Sequence, residues 1–289
     1  MNLKHSIRDR AAFTLVELLV VISIMAILAA LAVPALKNIG KGNAQVGAAQ
    51  QLVNDVARAR QLAISDRTTV YMVFVPTNFW MAPSWLSSLS QSERAVATNL
   101  MSMELSGYAF VAKGALGDQP GNHQWHYLDT WKVLPQGFMI APMKFISPPP
   151  FYTYFRDPIN NQGFTIYPFN FSANIPFPVA DPNTESLASG TNSATSPLLP
   201  YIAFNYLGQV VSSAFDSDVL GTGVDIPLAQ GSVAYPLNPV TKTPGIPSLA
   251  LLPSAVTESP PGNSTNINYN IVHVDPLTGR ATLLYHHVQ

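Results

Sequence analysis

The sequence predicts an α+β protein, in which a long N-terminal helix packs on a mainly antiparallel β-sheet domain with long proline-rich loops. Three patterns support this fold class. An apolar run fills residues 13–36, an amphipathic pattern with helical spacing fills residues 37–67, and short strand patterns separated by turn residues fill residues 68–289. Of the 25 prolines, 19 lie between Pro142 and Pro261, so this stretch cannot be mainly helical.

The composition excludes several classes of protein. The chain has no cysteine, which excludes a disulfide scaffold and any thiolate metal or redox site. Its formal net charge of −1 provides no general attraction to a phosphate backbone, so we expect no nucleic-acid partner. Charged residues make up 11% of the chain, against roughly 25% in an ordinary soluble domain. This deficit favours a membrane-anchored protein with an extracytoplasmic part.

The apolar run over residues 13–36 predicts a transmembrane helix. It contains 24 residues and one charge, Glu17, and a helix of this length is long enough to cross a bilayer. Residues 1–12 before it carry three basic side chains and one acidic one. The positive-inside rule therefore predicts a single-pass membrane protein with a cytoplasmic N-terminus and with the residues after Lys37 across the membrane.

Three interpretations of this segment are open from its pattern alone: a plain signal anchor, an unusual signal peptide, or a segment cleaved on the cytoplasmic side of its own helix. An ordinary signal peptide has a shorter apolar core followed by a small-residue cleavage site, whereas Ala11 and Ala12 precede the core in this chain. A carboxylate such as Glu17 costs about 2.5–3.5 kcal/mol near the centre of a membrane helix and less near its end. A plain anchor has no use for this carboxylate.

The residues Ala12-Phe13-Thr14-Leu15-Val16-Glu17 resemble the type IV prepilin cleavage and methylation motif. In that family a small residue precedes the cleavage-site phenylalanine, a glutamate follows four residues later, and a proline such as Pro34 commonly kinks the helix. The resemblance implies a leader of residues 1–12, cleavage between Ala12 and Phe13 by a prepilin peptidase, and N-methylation of Phe13. The family usually has glycine where this chain has Ala12.

Glu17 and Pro34 are the predicted assembly residues. After cleavage the new terminal amine of Phe13 is cationic and lies at the membrane interface. Glu17 of a neighbouring subunit can supply the opposite charge in a low dielectric, where the pair is much stronger than in water. The resemblance also implies a location in the inner membrane with a periplasmic globular domain. It implies other pilin or pseudopilin subunits and an inner-membrane assembly platform as partners.

Residues 37–67 predict an amphipathic helix, which Gly40 and Gly42 weaken locally. The apolar stripe is Val46, Ala49, Val53, Val56 and Ala63, and the polar stripe is Asn54, Arg58, Gln61 and Ser65. Arg58 and Arg60 are interpreted as solvated. The passage from this helix into a strand over residues 68–75 resembles that of minor pseudopilins of the H class in type II secretion.

Further strands are predicted at Gly163 to Phe169 and at Tyr201 to Phe204, the latter followed by a turn at Asn205 to Gly208 and a return over residues 209–212. The clearest hairpin pairs residues 271–274 with residues 281–285 around a Pro- and Gly-containing turn.

The search for chemistry finds no catalytic constellation, so we expect no enzyme. There is no G-x-S-x-G nucleophile elbow and no phosphate loop. His123 and His126 would share one face of a helix turn, but no Glu or Asp stands at zinc-protease spacing. His286 and His287 are adjacent, so in a strand their side chains would point to opposite faces. Asp216, Asp218 and Asp225 form a weak calcium candidate whose spacing fails the twelve-residue calcium loop, and turn capping is the favoured role of these residues. No cofactor is therefore expected.

The favoured function is a structural subunit, a minor pilin or pseudopilin of a type II secretion or type IV pilus-like filament. An alternative is a pilin-like binding module that recognises a surface glycan or a secreted substrate, which the loop aromatics permit. A membrane-tethered enzyme is a third class without a supporting motif. The enlarged domain also resembles, more weakly, the Verru_Chthon cassette prepilin-like proteins.

Overall fold

The computed structural model describes residues 15–81, 85, 89, 91–114, 125–146, 153–156, 163–171, 175, 198–211, 221–237, 253–264 and 270–285. The chain divides into two compact units, Met1–Val46 and Gly47–Gln289. Helix α1 runs from Leu15 to Asp66, and helix α2 covers Gln91–Met101. Short 3-10 helices lie at Phe79–Met81 and Pro142–Phe145.

The described strands form three antiparallel sheets. Their bounds are β1 Val70–Phe74, β2 Gly107–Lys113, β3 Trp125–Tyr127, β4 Lys132–Val133, β5 Phe138–Ile140, β6 Thr153–Arg156, β7 Gly163–Ile166, β8 Tyr201–Phe204, β9 Val210–Val211, β10 Val224–Ala234, β11 Ala255–Glu258, β12 Asn270–Val274 and β13 Ala281–Tyr285. Sheet 1 has the order β3-β2-β1-β8-β9 with β4 also paired to β2, sheet 2 has the order β11-β10-β12-β13 with β5 paired to β10, and β6 pairs with β7. The predicted α+β class is confirmed.

Strand β1 is buried along its whole length because both faces of sheet 1 are covered. Tyr71 and Val73 point into the main core cluster, which also contains Trp80 and residues of α2. On the opposite face Met72 lies across from Phe110 in the register of β1 with β2. Side chains therefore alternate between the two faces of β1, and neither face is open to solvent.

The second half of α1 packs through a stripe of mostly small side chains. The buried members are Ala48, Ala49, Leu52, Val56, Ala59 and Ala63. Small side chains let a helix approach the layer beneath it closely. The predicted stripe was partly wrong, since Val46 is 53% exposed. The predicted polar stripe of Asn54, Arg58, Gln61 and Ser65 is confirmed as exposed.

Both predicted hairpins are confirmed. β8 and β9 pair through the turn at residues 205–208, and β12 pairs with β13 from Asn270 with Tyr285 to Val274 with Ala281. In the first turn Asn205 Oδ1 accepts hydrogen bonds from the backbone N–H groups of Leu207 and Gln209. In the second, Asp275 Oδ1 accepts from the N–H and hydroxyl of Thr278, and these bonds hold the pKa of the Asp275 carboxyl below its usual value.

Candidate functional site

Glu17 lies in the first turn of α1 and is exposed. It is the only charged side chain between residues 13 and 36. The N-terminus of a helix carries a partial positive charge, so a carboxylate in the first turn is stabilised there. This position also keeps the carboxylate close to the N-terminal end of the apolar segment.

The helix surface after Glu17 is apolar on every side. From Leu15 to Leu28 the large apolar side chains are between 41% and 81% exposed. Ser23 satisfies its hydroxyl within the helix by donating to the carbonyl of Leu19 at 2.8 Å. A helix that is apolar all round is buried in its working environment, either by lipid or by other helices.

The other residues predicted to serve processing or assembly are Ala12, Phe13 and Pro34. Ala12 and Phe13 lie outside the described residues. Pro34 lies within the bounds of α1, which also includes Gly40 and Gly42. The two glycines were expected to weaken the helix locally, yet α1 continues through both of them. A propensity cost of about 1 kcal/mol per glycine is small enough for the surrounding turns to offset.

Residues 7–33 match the prokaryotic N-terminal methylation motif. The chain carries a prepilin-type signature. It is consistent with a type IV prepilin-like protein, and the motif implies processing by a prepilin peptidase and assembly with other pilins. No curated protein and no solved structure matches the chain. The narrower resemblances, to H-class minor pseudopilins and to Verru_Chthon cassette proteins, stay predictions.

The prepilin-type motif indicates a membrane-anchored N-terminus. Within the part of the chain that the structure describes, no helix combines the length and apolar character needed to cross a membrane. The transmembrane helix expected over residues 13–36 therefore stays a prediction.

In the second unit, α1 is fastened to sheet 1 by a buried carboxylate. Asp55, only 8% exposed, accepts from the Tyr108 hydroxyl at 2.6 Å and pairs with Lys132 Nζ at 2.5 Å. Gln51 donates to the Tyr108 oxygen at 2.8 Å and to the carbonyl of Val133 at 2.9 Å. Burial, together with the neighbouring Asp55, raises the pKa of Tyr108 well above its ordinary value. These bonds fix the helix in one register on the sheet.

Arg58 and Arg60 were interpreted as a solvated face, and this was incomplete. Arg58 forms an ion pair of 3.0 Å with Asp129, and its guanidinium carbon lies 5.8 Å from the centre of the Phe110 ring. Arg60 Nε donates to the carbonyl of Thr278 at 2.6 Å. The end of α1 is thereby attached to the turn of the C-terminal hairpin, a contact across 218 positions that local sequence cannot reveal.

The two hairpin turns also contact each other. A Cβ built on Gly279, whose φ is +61°, would lie 2.0 Å from the carbonyl oxygen of Gly208. One built on Gly208 would lie 2.9 Å from Arg60 Nε. Val210 N donates to the carbonyl of Pro276 at 2.9 Å. Backbone packing therefore requires glycine at position 279, and a φ of +80° favours glycine at position 208.

The calcium candidate is only partly within the described residues. Asp216 and Asp218 lie outside them. Asp225 is in β10, and its Oδ1 lies 2.6 Å from His273 Nδ1 of β12. Among the described residues no group of three or more His, Cys, Asp or Glu side chains could hold a metal ion. Of the predicted histidine pairs, His126 lies in β3 opposite Ala112, whereas His123 and His286 with His287 lie outside the described residues.

Besides Asp55, sequence reasoning missed two further buried charged residues, Glu104 and Lys144. Glu104 is 2% exposed, and burial raises the pKa of its carboxyl to about 7. Two hydrogen bonds to the carboxylate act in the opposite direction, but their effect on the pKa is smaller than that of burial. Lys144 is 1% exposed, and burial lowers the pKa of its amine to about 7. The available signal was a single charge inside an apolar stretch, as in Met103-Glu104-Leu105 and in Pro142-Met143-Lys144-Phe145.

Proposed function

We propose that the protein is a structural, non-catalytic subunit of a type II secretion or type IV pilus-like filament, a minor pilin or pseudopilin. The observation that carries this proposal is the match of residues 7–33 to the N-terminal methylation motif. The exposed Glu17 in the first turn of α1, ahead of a helix surface that is apolar all round, supports it.

In this proposal residues 13–36 hold the precursor in the inner membrane, with the N-terminus in the cytoplasm and the globular part in the periplasm. The prepilin peptidase cleaves between Ala12 and Phe13, and the Phe13 amine is methylated. The cationic amine then pairs with Glu17 of a neighbouring subunit as the apolar surfaces of the helices come together. In a low dielectric an unpaired carboxylate is strongly destabilised, because no water solvates its charge. The pair therefore favours the one alignment of the subunits in which Glu17 meets the terminal amine.

Processing is tested by intact mass spectrometry of the protein from its native membrane. The expected mass is that of residues 13–289 plus one methyl group. Ala12→Lys should leave the precursor uncut, whereas Ala12→Gly should be processed at least as well as the native chain. A native protein that retains residues 1–12 would contradict the proposal.

Assembly is tested with tagged variants expressed beside the untagged protein. Glu17→Gln keeps the shape of the side chain and removes its charge, so it should be processed but not incorporated into filaments. Ser23→Ala is the matched control, because it changes the same helix without changing charge and should be incorporated normally. Cross-linked complexes in isolated membranes report incorporation. Equal incorporation of Glu17→Gln and the native chain would show that the charge pair is not needed.

A further inference from the structure

A cavity of about 290 Å³ opens beside the start of β10. Its walls include the segment that follows β7, part of β8, the 3-10 helix containing Lys144, and residues 222–225. Pockets that bind small molecules start at about this size. The cavity lies wholly in the second unit, so nothing in it depends on the assembly helix.

Lys144 supplies a hydrogen-bond donor to this cavity from a buried position. Its Nζ donates to the carbonyl of Tyr167 at 2.6 Å and lies 4.5 Å from the centre of the Phe169 ring. An ammonium has three donors, and the described residues provide one hydrogen-bond acceptor for them. Acceptor oxygens of a bound molecule would satisfy the other two.

Asp225 supplies acceptors to the same cavity. Its Oδ1 is engaged by His273 Nδ1 at 2.6 Å, while its Oδ2 accepts no hydrogen bond from the described residues. The imidazole of His273 fits here because residue 223 is glycine: a Cβ at Gly223 would lie 2.3 Å from His273 Cε1. Thr222, also on the wall, adds a hydroxyl that can donate and accept.

The cavity therefore presents opposite charges together with neutral polar groups. A small anion would be attracted by Lys144 but repelled by Asp225. A small cation would be attracted by Asp225 but repelled by Lys144. A molecule with hydroxyl groups can use both residues, because each hydroxyl donates one hydrogen bond and accepts others. Tyr167 lines the cavity and is 51% exposed, and an accessible aromatic ring can stack on the C–H face of a sugar.

We propose that this cavity binds a neutral, hydroxyl-rich molecule of monosaccharide size, with Lys144 as donor and Asp225 as acceptor. The proposal concerns a different part of the chain from the assembly helix, so either can fail without the other. It gives the protein a recognition site in addition to its structural role.

The test uses the full chain in a polyoxyethylene detergent, which has no sugar head group that could compete. Isothermal titration calorimetry at pH 6, where Lys144 is mostly an ammonium, measures binding of glucose, galactose, mannose and N-acetylglucosamine, each alone, with benzoate as the small-anion probe. Saturable binding of at least one of the four sugars is expected, without saturable binding of benzoate. The proposal is overturned if none of the sugars binds, or if benzoate binds and the sugars do not.

Two variants locate the site. Lys144→Met keeps the apolar stem and removes the donor, and Asp225→Asn keeps the shape and removes the charge. Each should weaken sugar binding about tenfold or more, the loss expected for one hydrogen bond to a charged group. Lys113→Met is the matched control, because Lys113 at the end of β2 does not line the cavity and should bind as the native chain does. Unchanged affinity in both cavity variants would overturn the assignment.

A measurement on the native chain covers the case in which a variant does not fold. Acetic anhydride at pH 8 acetylates deprotonated lysines, and mass spectrometry gives the labelling of each lysine. Bound sugar should protect Lys144 and leave Lys113 unchanged. Equal labelling of Lys144 with and without saturating sugar would overturn the proposal.

Discussion

Glu104 should make the protein lose stability as the pH rises from 5 to 7. Its carboxylate accepts from the Asn78 N–H at 2.7 Å and from the Ser254 hydroxyl at 2.6 Å, yet burial raises its pKa from 4.5 to about 7. Between these two values the folded chain keeps a proton that the unfolded chain has released. The stabilising contribution is therefore complete below pH 4.5 and is lost as the pH approaches 7.

Lys144 should produce the opposite slope above pH 7. Its pKa falls from 10.5 to about 7 on folding, because burial disfavours the ammonium. Between pH 7 and 10.5 the unfolded chain binds a proton that the folded chain does not, so stability rises with pH in this range. With 1.36 kcal/mol per pK unit, each group should change the free energy of unfolding by about 2 kcal/mol, Glu104 from pH 5 to 7 and Lys144 from pH 7 to 9.

Urea unfolding of the full chain at pH 5, 7 and 9 measures this dependence. All four tryptophans lie between residues 80 and 131, so their fluorescence follows the second unit. Glu104→Gln keeps the shape of the side chain and stays neutral, and should remove the fall between pH 5 and 7. Lys144→Met should remove the rise between pH 7 and 9. The reasoning is refuted if Glu104→Gln falls from pH 5 to 7 as steeply as the native chain.

Three further substitutions test the packing of the second unit by the same unfolding measurement at constant pH. Asp55→Ala leaves the Tyr108 hydroxyl and the partly buried Lys132 without their carboxylate, and should lower the free energy of unfolding by about 3 kcal/mol. A decrease of less than about 1 kcal/mol would mean that these bonds do not hold the helix on the sheet. Tyr108→Phe removes two hydrogen bonds, to Asp55 and from Gln51, and should lower the free energy of unfolding by about 2 kcal/mol, visible as a lower urea midpoint. Gly279→Ala should cost about 2 kcal/mol or more, since its Cβ would strike Gly208 at a positive φ, whereas Gly221→Ala, with open space around it, should stay within about 0.5 kcal/mol.

The parts of the fold that the sequence predicted are those governed by neighbouring residues. The hairpin of β12 and β13 follows from a Pro- and Gly-containing turn between two strand patterns, and the turn after β8 follows from Asn205 and Gly208. The exposed stripe of α1 follows from helical spacing alone. In each of these cases the information lies within a few residues of the element itself.

Strand β10 was missed for the opposite reason. It contains Pro227 and Gly231, both unfavourable inside a strand, and its partners are β5, β11 and β12. Pairing with three strands outweighs these unfavourable local preferences, but no window of sequence contains those partners. Helix α2 and strand β2 were missed as well; they contribute to the same core cluster through residues such as Leu100 and Val111.

The same distinction applies to the functional residues. The prepilin-type motif could be recognised directly because its parts, Ala12, Phe13 and Glu17, lie within six consecutive residues. The cavity could not be predicted from the sequence, because Lys144 and Asp225 come together only when β10 pairs with both β5 and β12. A buried lysine with one described hydrogen-bond acceptor is a poor way to stabilise a core, because an apolar side chain of similar volume is often at least as stabilising. The Lys144→Met variant therefore separates two roles in one experiment: a gain in stability at pH 7 combined with a loss of sugar binding would show that the lysine is kept for recognition and not for folding.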